Sequence, residues 1–101
     1  MLTNIYELPP MPLQAELVTD LHRDADIQIE RIISTGQTTD WLNQKDTEFV
    51  VLIQGNAVLE FDDGQEVTMK PGDTILIKPH QRHRVTFTST EPPCVWLCVF
   101  W

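Results

Sequence analysis

The sequence predicts an all-β fold, a small sandwich or jelly-roll barrel with a short helix in front of it. Three observations predict it. From Glu48 onward six short β-prone runs follow one another, punctuated by Gly, Pro and Asn or Asp residues that reverse a chain. Their regular spacing selects antiparallel β over any α/β arrangement. No internal repeat is present, so the 101 residues hold one barrel.

Taken in order, Leu13, Leu17, Val18 and Leu21 recur at helical spacing just after Pro12, a residue tolerated in a first helical turn. This predicts a short amphipathic helix over residues 13–22, within an N-terminal arm of residues 1–25 that leans on a barrel of residues 26–101. Residues 26–35, DIQIERIIST, are rich in β-branched side chains and alternate at Ile27 and Ile29, which suits a strand ending at Gly36. The polar stretch GQTTDWLNQKDT reads as a loop. Strands follow at 48–54, 57–62, 65–70, 73–78, 82–88 and 94–101, with turns at Gly55-Asn56, Asp63-Gly64, Pro71-Gly72, Pro79 and Pro92-Pro93.

A chain of this length buries ~65% of the surface its unfolded form exposes, enough for one core. Seven basic against fifteen acidic residues leave a net charge of −8. Such a field repels phosphate backbones and anionic lipid, so neither nucleic acid nor membrane is an expected partner. No apolar run approaches the ~18 residues of a spanning helix, and the start, MLTNIYELPP, lacks the basic and apolar regions of a signal peptide. The expected location is the cytoplasm. Cys94 and Cys98 share one strand, about 13 Å apart at ~3.3 Å per residue, too far for a disulfide. They are read as buried core thiols.

FVVLI (49–53) and VWLCVFW (95–101) are apolar on both faces. A strand without a polar face is covered on both sides, and a domain this small has one core of its own. A homodimer would cover the outside, as would residues 1–25 folding back over it.

Glu48, six residues and Gly55, followed by Pro71-Gly72-Asp73, a hydrophobic strand, a turn and His83, resemble the two motifs of the cupin superfamily. IERIISTGQ, WLNQ, EFVVLIQGNAVLEF and IKPHQRHRV are similar to segments of small stand-alone cupins of mostly unassigned function. The resemblance implies a cupin-type jelly-roll barrel. It also implies a first motif with two histidines and a glutamate and a second with a further histidine, all directed inward to hold a divalent transition metal such as Zn, Ni, Mn or Fe.

Carried over residue by residue, Glu48 falls on the glutamate and His83 on the second-motif histidine. Counting three residues back from Glu48 places Gln44 and Leu42 on the histidine positions; counting four places Asn43 and Trp41 there. Residues 42, 44 and 48 share parity along a regular strand and so one face. The candidate metal ligands are therefore Gln44, Glu48, His83 and His80, the last if its turn folds inward, with weak metal binding or none expected from so few strong donors. Without a metal, Glu48 and His83 form a buried polar pair. Trp41 is a candidate to stack on a ligand or a packing anchor, Arg82 and Arg84 point outward, and His22 lies on the surface. No serine or threonine has histidine and acid at suggestive spacing. The expected function is binding of a small polar molecule by Trp41, Gln44, Glu48 and His83. The alternative is a metal-dependent dioxygenase, isomerase or lyase.

Overall fold

Turn chemistry sets the strand boundaries in the computed structural model, which describes residues 2–101. Eight strands follow in order: β1 Leu17–Arg23, β2 Gln28–Ser34, β3 Glu48–Gln54, β4 Ala57–Phe61, β5 Glu66–Met69, β6 Thr74–Ile77, β7 His83–Thr88 and β8 Cys94–Phe100. All pairings between them are antiparallel. One sheet has the order β1-β2-β8-β3-β6 and the other β5-β4-β7. The two sheets enclose a core of Val50, Leu52, Leu59, Phe61, Ile77 and Trp96, with both cysteines free and buried beside them.

The alternation of β3 shows how sequence sets the faces. Glu48, Val50 and Leu52 are buried and point inward, whereas Phe49, Val51 and Ile53 are half-buried on the outer face. Register then aligns inward rows across the larger sheet: Glu30 pairs with Cys98 and Cys98 with Val50, while Phe100 pairs with both Gln28 and Glu48. The turn between β3 and β4 needs Gly55, whose φ is 91°.

The helix expected over residues 13–22 is not formed; residues 17–23 are strand β1, paired along the edge of β2. Backbone bonding to an open sheet edge outweighs a marginal amphipathic pattern of ten residues, too short to sustain a helix without packing. Leu17, Val18 and Leu21 stay exposed, which no packed helix would leave them. A bulge between Asp20 and His22 shifts the register and turns the edge, and His22 lies on the surface, bonded to Asp24 at 2.8 Å. The larger sheet thus begins well before residue 26.

The arm ahead of β1 folds back over part of the outer face. Arg31 donates to the carbonyls of Ile5 (3.3 Å) and Glu7 (2.7 Å), and Leu13 exchanges bonds with Thr35. Ile5, Leu8 and Pro9 face Leu17, Leu21 and Leu97 across a shallow groove. Ile33 and Val95, outward by alternation, are fully buried. Among the described residues no helix is long and apolar enough to cross a membrane.

Candidate functional site

The segment between β2 and β3 runs along the free edge of β7 and is stitched to it. Thr39 N donates to Val85 O (3.0 Å) and Val85 N to Thr39 Oγ1 (2.9 Å); Leu42 and His83 exchange backbone bonds of 2.7 and 3.2 Å; His80 N donates to Gln44 O (2.7 Å). Extended backbone there sends alternate side chains to opposite sides. Leu42 and Gln44 line a cavity between the sheets. Trp41 turns outward beneath the Arg82 and Arg84 guanidinium groups, 5.4 and 4.5 Å from its ring centre, and Asn43 Oδ1 meets His80 Nδ1 at 2.8 Å.

The cavity measures about 110 Å³, well below the ~300–1,000 Å³ that holds a drug-sized ligand. Its apolar wall is Ile32, Val50, Leu59, Ile77, Val85 and Phe100. Its polar groups are Glu48, His83, Gln44, Glu30 and Glu16, with Ser34, Thr39 and Cys98 between them.

Glu48 opens β3 between Ile77 of β6 and Phe100 of β8. Burial among these side chains pushes its carboxyl pKa up to about 7 from the ordinary 4.5, against the lowering effect of the Cys98 thiol and the Gln44 amide. It exchanges protons near neutrality. His83 opens β7 opposite Phe61, whose ring lies 6.0 Å from the imidazole. Its Nδ1 is 2.9 Å from the Gln81 carbonyl, an oxygen that only accepts, so Nδ1 carries a proton and, in the neutral ring, Nε2 is the acceptor. Burial pushes the Cys98 thiol well above its usual range, with the Glu48 charge adding to the effect, so the thiol stays protonated.

Two carboxylates of this cavity escaped the sequence reading. Glu30, on β2, lies one strand beyond Cys98 in the inward row, and Glu16 precedes β1. Burial raises the pKa of Glu30, and Asp20 raises it further; partial desolvation at the cavity edge raises that of Glu16, whose side chain stays largely exposed. Gln28 Nε2 bridges Glu30 Oε2 (3.0 Å) and Asp20 Oδ1 (3.2 Å). The available signal was parity, since Gln28, Glu30, Ile32 and Ser34 alternate against Ile29 and Ile33. Glu16 gave none, because its position depends on β1 being a strand.

Catalytic and structural transition-metal sites present three or four strong donors. Among the described residues no group of three or more His, Cys, Asp or Glu side chains is placed to hold an ion. His80 is exposed, has φ 61° and directs its Nδ1 to Asn43 outside the cavity. The expected set of one imidazole, one carboxylate and a neutral amide does not fit a resident transition metal, and the other carboxyl groups of the cavity are not placed to complete it.

A two-sheet antiparallel barrel with an inward Glu at the start of one strand and an inward His at the start of another defines a small cupin barrel. The sequence model of the Cupin domain family matches residues 30–100, and the chain belongs to that family. A provisionally assigned mannose-6-phosphate isomerase of Ralstonia eutropha JMP134 superposes with a TM-score of 0.93 at 32% identity, over 99% of this chain and 96% of that one. A cupin superfamily protein of Desulfitobacterium hafniense DCB-2 superposes at 0.76 and 20% identity, over 98% and 95%. A curated relative, the 3-hydroxyanthranilate 3,4-dioxygenase of Jannaschia sp. (strain CCS1), is 30% identical over 66 residues. That match spans 62% of this chain and only 37% of the dioxygenase.

Proposed function

We propose that this chain is a small-molecule-binding cupin whose cavity takes a small polar ligand, with Gln44, Glu48 and His83 as its polar contacts. The observation that carries this reading is the unmet polar demand of a walled cavity. Gln44 Oε1 is buried with no hydrogen-bond partner, and it shares the site with the buried Glu48 and His83. Buried polar groups are rarely left unsatisfied without a ligand or water to meet them. The anions in two relatives' names, mannose 6-phosphate and 3-hydroxyanthranilate, would meet no lysine or arginine in this cavity, which argues against carrying those substrates over. Thermal-shift screening against small metabolites is expected to find compounds that raise Tm in the native protein and lose that effect in Glu48→Gln and His83→Ala. Stabilisation that survives both substitutions would place the ligand elsewhere.

A metal-dependent enzyme, which would need donors beyond Gln44, Glu48 and His83, is the second reading, favoured by one observation: a carboxyl pushed up to about 7 and a buried imidazole line the same cavity. Elemental analysis of untagged protein separates the two. Well under one transition-metal ion per chain is expected; one per chain, lost in His83→Ala, would favour the enzyme. We also propose a homodimer, supported by the apolar outer face that the arm leaves uncovered.

A further inference from the structure

The cavity has a one-sided chemistry. Its acidic side chains are those of Glu16, Glu30 and Glu48, and no lysine or arginine lines it. Acidity alone would mark no site, but two further groups, Gln44 and His83, present acceptors of their own. Gln44 Oε1 is a buried acceptor without a donor. His83 is 3% exposed and its Nδ1 donates to the Gln81 carbonyl, so in the neutral ring Nε2 is an acceptor on the cavity wall. Gln28 supplies Glu30 through Oε2 alone. The indole N–H of Trp96 is committed to Ser34 Oγ at 3.2 Å, so Trp96 offers the cavity its ring rather than a donor. What is missing is a set of N–H donors carrying positive charge.

Size and wall narrow the class further. A space of about 110 Å³ admits only a few heavy atoms, and its aliphatic side chains favour carbon beside the charged end. A bare divalent ion would leave that apolar wall unmatched and would need donors that this site lacks.

We propose that the cavity is a site for a small organic cation, a primary or secondary alkylammonium. Its nitrogen donates to Gln44 Oε1 and the carboxylates of Glu48 and Glu30, while its short carbon chain lies against Ile32, Leu59 and Phe100. Glu16, exposed at its position ahead of β1, attracts the cation toward the cavity. This inference rests on the reading of the cavity as a ligand site and narrows it to one chemical class.

The test is a titration of the full chain, stripped with EDTA, followed by ¹H–¹⁵N chemical shifts at constant ionic strength. The probes are n-propylammonium, propionate, n-propanol and Zn²⁺. Saturable shifts with propylammonium are expected at residues 30, 44, 48 and 83, with propionate binding at least about tenfold more weakly, the scale of one charge-assisted hydrogen bond. Glu30→Gln should weaken propylammonium by about tenfold. Glu16→Gln, which alters an exposed side chain and spares the core, should weaken it by a smaller factor while leaving propanol unchanged. Propanol or propionate binding as well as the ammonium in the cavity would overturn the cationic assignment and leave the ligand site standing. Tight Zn²⁺ uptake at Glu48 and His83 with no response to the ammonium would overturn it in favour of a metal. If no probe shifts the cavity resonances, both this assignment and the ligand-site reading fall.

Discussion

Glu48 is the residue whose environment has the largest predictable consequence. Its carboxyl pKa rises to about 7 in the fold from the ordinary 4.5, so the folded protein holds that proton more tightly than the unfolded chain. Folding is therefore favoured below pH 4.5, loses that contribution as pH rises toward about 7, and stays at the lower level above it. The shift corresponds to about 3 kcal/mol, and the raised pKa values of Glu30 and Glu16 act in the same direction. Urea denaturation at about pH 5 and about pH 8 should show this decline, and Glu48→Gln should remove most of it by gaining stability at the higher pH. Parallel curves for the two proteins would show that the carboxyl is not held in this way. Glu48 and His83 were legible because motif spacing fixes them at strand starts, and Gln44 because parity links it to Glu48. For Glu30 parity offered a signal but left the face open: a single acid in a β-branched strand reads as solvent-facing until the register with Cys98 shows it pointing inward.

Elements built on turn chemistry were legible almost to the residue, and two glycines show why the turns are unequal. Gly55, at φ 91°, lies between β3 and β4 with no room for a side chain: a Cβ there would sit 2.8 Å from Cys94 Cα and 2.8 Å from Ser89 Oγ. Gly64, at φ 90°, faces open space. Gly64→Ala should cost about 1–2 kcal/mol from backbone strain alone. Gly55→Ala adds overpacking against backbone, for a total of roughly 3 kcal/mol or more. Chemical denaturation of the two variants reads the difference directly, and equal losses would mean that β8 shifts freely away from the turn. The element that sequence misread is β1. Its leucines and valine fit a helical stripe as well as a strand, and local pattern contains no term for the open edge of β2 that captures it. The same edge explains Glu16, which reaches the cavity only because β1 is extended.

At the scale of the whole molecule, the outer face of the larger sheet is unfinished. Register sets Ile29, Val99, Phe49 and Leu76 in one outward row across β2, β8, β3 and β6. The arm covers the part near Arg31 and Leu97, through residues 3–9. Toward β6 the face is open, and Leu76 remains 49% exposed on this edge strand beside β3. The chain's own arm covers one side, and the proposed second copy would cover the other. Stable association requires roughly 800 Å² buried per partner. Sedimentation equilibrium at micromolar concentration should show a dimer. Leu76→Lys, at an exposed position outside the core, should shift it to monomer without loss of fold, because a charge on each copy would meet its symmetry mate across the interface. Native protein that sediments as monomer throughout this range would refute the dimer. Dissociation by Leu76→Lys with the ligand response intact would separate assembly from the cavity, whose lining in this single chain includes no residue of the outward row.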